Sequence, residues 1–195
     1  MRVAMLTYST KPRGGVVHAL SLSEALLDLG VDVNVFALRK WREKHPRGFF
    51  REVSVPFDIF PYRARGHLNE DVRRMISTYV DNLPLDFDVY HTQDCIGGNA
   101  LNLLKKRIDS PTVRTIHHVD EFRGTTLTKL QEDSISLCDE KVTVSKYWQR
   151  RLKKEYGVES HLIYNGVDLE RFDPDKYPKP EREGADILFI GGLEP

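Results

Sequence analysis

The sequence predicts an α/β protein built on a Rossmann-like, doubly wound and mostly parallel sheet. Short apolar runs of strand length recur from end to end, segments of helical periodicity separate them, and no internal repeat or low-complexity tract interrupts the alternation. Strand–helix–strand order requires crossover connections, and crossovers make parallel neighbours.

The elements follow in order. Residues 3–6 read as a first buried strand. Ala19, Leu22, Leu26 and Leu29 then recur at helical spacing, and Gly30 supplies the stop. Residues 33–38 form the second strand. Val53, Val55, Phe57 and Ile59 alternate with Glu52, Ser54, Pro56 and Asp58, the period of a half-exposed strand, and Pro56 places it at a sheet edge. Leu68, Val72, Met75, Ile76 and Tyr79 mark a second helix, with Glu70 and Asp71 near its positive end. A short strand at 89–90 leads to a helix carrying Ile96, Ala100, Leu103 and Leu104. Strands at 113–116 and 142–144 follow. Ser145 is placed to cap a helix whose stripe is Trp148, Leu152 and Tyr156 and whose other face is basic. Residues 162–163 make a further strand.

From Asp168 to Gly184 the chain is rich in proline and charge and reads as a linker. Residues 187–190, followed by Gly191 and Gly192, have a buried-strand pattern. They read as the opening strand of a second domain, although a last edge strand of the first sheet would leave the same pattern. The expected division is a first domain over 1–167, a linker over 168–184, and the beginning of another domain over 185–195.

At 195 residues, 40% hydrophobic and 30% charged, the chain can bury a sizeable core and is not disordered. Lys plus Arg equals Asp plus Glu at 29 each, so no global field points to nucleic acid. The apolar run after Met1 is too short for a signal peptide, and no stretch approaches the roughly 18 to 20 residues that span a bilayer. Cys95 and Cys138 stand apart, with neither metal nor disulfide spacing. A cytoplasmic protein is expected.

In an open α/β sheet, ligands bind beyond the carboxyl ends of the strands. Gly14 and Gly15, between the first strand and first helix, allow close backbone approach, and the helix amides favour an anion. Their spacing misses the dinucleotide fingerprint GxGxxG, and no acidic residue ends the second strand at Arg39, so a nicotinamide oxidoreductase is disfavoured. The other strand-end loops are His91-Thr92-Gln93-Asp94, Thr115-Ile116-His117-His118 and Tyr164-Asn165-Gly166. Histidines at such ends can bond hydroxyls or move protons near neutral pH. Asp86-Phe87-Asp88 has the DxD pattern that elsewhere holds a divalent ion. It precedes a strand, at the opposite edge, and reads as a turn. No zinc-ligand spacing is present, and no metal site is expected.

Taken together, these pieces resemble the retaining glycosyltransferases of family 4, whose GT-B fold sets two Rossmann-like lobes around a cleft. The resemblance rests on the first strand with Gly14-Gly15 and the helix after it, residues 88–94, Thr115-Ile116-His117, Val144-Ser145 opening a basic helix, Asn165-Gly166-Val167-Asp168 through Phe172, and residues 187–195. It implies an N-terminal, acceptor-side lobe completed by a C-terminal donor-binding lobe. The implied reaction moves a sugar from a nucleotide-sugar to an acceptor hydroxyl with anomeric configuration retained, without metal or cofactor. Gly14 and Gly15 would lie near the donor diphosphate and the acceptor. His117 would be the catalytic histidine, orienting sugar hydroxyls and stabilising charge rather than acting as nucleophile. His91, Asp94 and His118 are further candidate substrate contacts, and Asn165 and Gly166 would form the interlobe hinge. The acceptor would be a small molecule, lipid or glycan. Gly192 departs from the family, which often has an Arg there to grip the diphosphate.

Between Arg39 and Arg51 lie six Lys or Arg residues and Glu43, interleaved with Trp41, Phe49 and Phe50. Such a cluster suits a solvated loop or peripheral contact with the inner face of an anionic membrane. The rival to an enzyme lobe is a stand-alone module that binds a phosphosugar or nucleotide without catalysis.

Overall fold

The computed structural model of the protein describes residues 1–41 and 48–177. Seven strands form one sheet: β1 (Arg2–Thr7), β2 (Asp32–Lys40), β3 (Phe57–Tyr62), β4 (Val89–Thr92), β5 (Thr112–Ile116), β6 (Glu140–Thr143) and β7 (His161–Leu162). Between them run α1 (Gly14–Asp28), α2 (Leu68–Asn82), α3 (Cys95–Leu104), α4 (Thr125–Leu137) and α5 (Lys146–Tyr156). The strand order is β3-β2-β1-β4-β5-β6-β7, and every pairing among the described residues is parallel. The winding reverses between β1 and β4, and there the crevice of a doubly wound sheet opens.

Both faces of the central strands are buried, with period two. Val3 and Met5 pack with Val33, Val35, Ala37 and the α1 residues Val16, Ala19 and Leu20. Ala4 and Leu6 point the other way, into a core with Phe36, Leu38, Tyr79, Tyr90, Leu101 and Leu104. The Tyr79 hydroxyl donates to the carbonyl oxygens of Thr7 and Phe36 at 2.7 and 2.9 Å, which satisfies a polar group deep in the core. A third cluster joins Ile116, Ile135 and Leu152 beneath Trp148 and Tyr156.

Local signals set the helix ends. Gly30 follows α1 at φ +79° and Gly157 follows α5 at φ +65°, a conformation glycine adopts without a Cβ penalty. Ser145 Oγ accepts the Trp148 N–H at 3.3 Å.

Three expectations about elements change. The alternating run at 53–59 becomes a strand only from Phe57, because Pro56 has no N–H to donate and stands before the ladder, where its carbonyl accepts Val35 N–H at 2.9 Å. The strand does lie at the sheet edge, which accommodates Pro61 within it. Leu29, Leu68 and Leu103, which belong to the apolar periodicities that mark the first three helices, are 80%, 65% and 65% exposed. Helix α4 was not anticipated from the sequence. It buries Gln131 and Ser134 alongside Ile135, so no clear apolar stripe announces it.

The chain divides into two compact units, Met1–Asn165 and Gly166–Pro195. In the second, Asp168 Oδ1 accepts the N–H groups of Glu170 and Arg171 at 3.0 and 2.9 Å, and Pro174–Lys176 forms a 3₁₀ turn. The expected strand at 187–190, part of the linker and residues 42–47 lie outside the described residues.

Candidate functional site

Helix α1 starts without a side-chain cap: Arg13 occupies the N-cap position and no acidic residue stands in the first turn. Its first amides and the positive end of its dipole therefore have no local carboxylate to satisfy them, and the helix begins beyond the carboxyl end of β1, beside the β1/β4 switch. Gly14 is exposed, and a Cβ there would meet nothing within 4 Å. Gly15 is closed in. A Cβ on it would lie 3.6 Å from His117 Cδ2, 3.7 Å from His117 Nε2 and 3.8 Å from Gln93 Cβ.

Those contacts define a constellation drawn from three elements. His117 follows β5, Gln93 follows β4, and His18 sits on α1. Gln93 Oε1 lies 2.9 Å from His18 Nδ1 and 3.0 Å from His117 Nε2, and the two imidazoles meet edge to face at 4.8 Å. The Gln93 backbone N–H bonds to Leu6 O at 3.2 Å, fixing the loop against the end of β1. Burial pushes the His117 pKa down to about 4, helped by the nearby His18, His118 and Arg114. Burial also lowers His18, partly offset by its bond to Gln93. Both rings are neutral at physiological pH, able to donate and accept hydrogen bonds but not to supply a cation.

The other candidates sit differently. His91 bonds Thr115 Oγ1 at 2.8 Å across the β4–β5 ladder, and burial, with His18 and His117 adding, lowers it to about 4. Asp94 caps α3: one carboxylate oxygen accepts Ile96 and Gly97 N–H, both at 2.9 Å, and the other accepts Tyr8 N–H at 2.9 Å. That places its oxygens on the backbone, not on a ligand. His118 is exposed and turns to Asp120 at 3.3 Å, away from His117. Asn165 and Gly166 are exposed and flank the division between the two units.

Asp86 and Asp88 are held at the opposite edge by Arg2, whose guanidinium lies 2.8 Å from Asp86 and whose backbone N–H lies 2.7 Å from Asp88. A cavity of about 420 Å³ bounded by Asp139, Glu140, Glu159, Ser160 and His161 lies at the amino ends of β6 and β7, far from the crevice edge. No group of three or more His, Cys, Asp or Glu side chains is placed to hold a metal ion among the described residues. Of the basic stretch, Arg51 turns inward to grip Glu24 through two bonds of 2.7 and 2.6 Å, and Phe49 is buried against Phe57. Trp41 remains 52% exposed, with the Arg63 guanidinium over its ring. No helix among the described residues is long and apolar enough to cross a membrane.

Sequence reasoning took His91 and Asp94 from their loop and passed over Gln93 between them. It also missed His18, which stands one helical turn after Gly15 and so shares its face.

The Glycosyltransferase Family 4 model matches residues 12–171. A phosphatidyl-myo-inositol mannosyltransferase of Mycolicibacterium smegmatis is 28% identical over 203 residues, covering 98% of this chain and 50% of that protein. The D-inositol 3-phosphate glycosyltransferase 2 of Catenulispora acidiphila is 25% identical over 231 residues, covering 100% of this chain and 54% of that protein. The chain thus spans about half the length of these curated relatives. Among solved structures, sucrose-phosphate synthase of Thermosynechococcus elongatus superposes with a TM-score of 0.68 at 16% identity, over 87% of this chain and 49% of that one. Anabaena HepE in complex with UDP-glucose does so at 0.58 and 16%, over 87% and 45%. Both likenesses are of fold.

Proposed function

The chain belongs to glycosyltransferase family 4, and from that premise we propose that it forms the acceptor-side lobe of a retaining enzyme that moves a sugar from a nucleotide-sugar to an acceptor hydroxyl. The single observation that carries this reading is the meeting of Gly15, His117 and Gln93 at the β1/β4 switch. The uncapped end of α1 suits a diphosphate: its amides and dipole would stabilise the negative charge that grows on the leaving group, the task a metal ion performs in other transferases. A neutral His117 suits a polyhydroxyl ring, holding it by hydrogen bonds without competing for the phosphate charge.

A UDP-sugar donor is supported by analogy with the HepE complex. An inositol-bearing acceptor is supported by the names of the mannosyltransferase and the inositol-phosphate enzyme. Donor binding would fall chiefly to a second lobe opening at residues 185–195, hinged near Asn165 and Gly166. Among the described residues, peripheral membrane contact through the stretch from Arg39 to Arg51 would rest on Lys40, Trp41 and Phe50, since Arg51 and Phe49 are engaged within the fold.

The test is transfer by the protein carrying its downstream sequence, with UDP- and GDP-hexoses offered to inositol phosphate and phosphatidylinositol. Product with retained anomeric configuration, formed in the presence of EDTA and abolished by His117→Ala, is expected. The 195-residue chain alone should give none; transfer by that chain, or undiminished transfer by His117→Ala, overturns the assignment.

A further inference from the structure

Gln93 is 5% exposed and makes three side-chain contacts. Its Nε2 lies 3.2 Å from Met5 Sδ, and its Oε1 faces His18 Nδ1 and His117 Nε2. A thioether sulfur only accepts, so the amide NH₂ belongs on the Met5 side. A flipped amide would set oxygen against sulfur and lose that bond. With the amide so fixed, its oxygen can only accept, and both imidazoles must donate to it.

We propose that Gln93 is a positioning residue that holds His18 in the Nδ1–H tautomer and His117 in the Nε2–H tautomer, leaving His18 Nε2 and His117 Nδ1 as hydrogen-bond acceptors for a ligand. Neither of those two nitrogens bonds to a described residue. The downward shifts of both rings agree, because a neutral imidazole keeps one free lone pair. The pair of lone pairs selects a ligand that donates, a sugar hydroxyl and not a phosphate oxygen. That last step rests on the sugar-transfer reading; the tautomers do not.

Long-range proton–nitrogen spectra of the histidine-labelled chain at about pH 7 separate pyrrole-type from pyridine-type ring nitrogens, with His18→Gln and His117→Gln supplying assignments. The expected pattern is pyrrole-type Nδ1 in His18 and pyrrole-type Nε2 in His117. Gln93→Leu should release His18 to the Nε2–H form that dominates for free imidazole side chains in water. Gln93→Glu, which keeps an oxygen acceptor and adds charge, should preserve both N–H positions and move ring protonation to higher pH. His18 already in the Nε2–H form, or a His18 pattern unmoved by Gln93→Leu, overturns the proposal. If Gln93→Leu fails to fold, the wild-type pattern and Gln93→Glu decide. No sugar or nucleotide enters the measurement, so a failure to detect transfer leaves it standing, and its own failure leaves the transfer assignment open.

Discussion

The Asp94 carboxylate accepts the Tyr8 backbone N–H at 2.9 Å, tying the end of β4 to the loop that follows β1. The same carboxylate caps α3 through Ile96 and Gly97. Burial raises its pKa although these N–H groups and Arg114 oppose the rise, so the carboxylate is held by its bonds and not by solvent. Asp94→Ala strands the Tyr8 amide and two amides of the α3 first turn. A loss of about 2–4 kcal/mol is expected, read as a lower urea midpoint at constant slope. Asp94→Ser, which can cap α3 but not reach Tyr8, should recover part. An unmoved midpoint in Asp94→Ala would contradict this.

Helix α3 approaches the sheet on one side and α4 on another more closely than a side chain allows. A Cβ on Gly97 would overlap Thr92 Oγ1 and lie 3.3 Å from Leu6 Cβ; one on Gly98 would come within 2.8 Å of Ser134 Cβ. Helix propensity favours alanine by up to about 1 kcal/mol, but overpacking of this kind outweighs it, and Gly97→Ala should lose about 2–3 kcal/mol. Gly14→Ala, with open space around it, should change stability by less than about 0.5 kcal/mol. Paired thermal unfolding of the two variants checks the contrast.

Acid stability carries the signature of the buried imidazoles. His91 and His117 have unfolded values of 6.5 and folded values of about 4. Between those limits the unfolded chain binds more protons, so their contribution is intact above pH 6.5 and is lost as pH falls towards 4. At roughly 1.4 kcal/mol per unit, the two together reach several kcal/mol. His117→Gln should flatten the wild-type slope in that window, because glutamine has no proton to gain. Asp139 governs a lower window. Burial pushes its carboxyl up, but Lys105 and the two bonds from Thr112 outweigh that and bring it to about 2. Its contribution is present above about pH 4 and disappears as pH falls through 2, and Asp139→Asn should remove that step. Urea midpoints across pH 2–8, compared variant against wild type, separate these effects; parallel curves for His117→Gln would refute the first.

Much of the sheet was legible because strands buried on both faces must be apolar throughout, and Gly30, Gly157 and Ser145 act locally on the backbone. Helix α4 escaped notice for the opposite reason. Its inner face receives the buried Arg114 guanidinium, which bonds Gln131 O and Ser134 Oγ, so two of the three residues it buries are polar. The crevice was legible as a set of loops but not as a set of contacts. Gln93 reaches His117 across 24 residues and His18 across 75, distances over which composition carries no geometry. Between neighbours in one loop, pattern could not tell which side chain caps a helix and which faces the site. Asp94 took the first role and Gln93 the second.

Gly15 offers the sharpest separation of site from scaffold. The nearest atoms to an added Cβ belong to the His117 ring, at ordinary van der Waals distance, so the methyl group of Gly15→Ala fits without displacing the fold. Stability should therefore stay within about 0.5 kcal/mol of wild type. The same methyl group presses on the Cδ2–Nε2 edge of the imidazole whose Nδ1 we assign to the sugar, and it thickens the turn that we assign to the diphosphate. Small misplacements at a reacting centre are amplified, so kcat/KM for sugar transfer, measured with the second lobe we propose present, should fall about tenfold or more. Gly15→Val should fall further, with Gly14→Ala less affected because no ring stands behind it. Were Gly15→Ala instead to unfold the chain while the surviving folded fraction transferred sugar at full rate, the contact between Gly15 and His117 would be a packing contact alone.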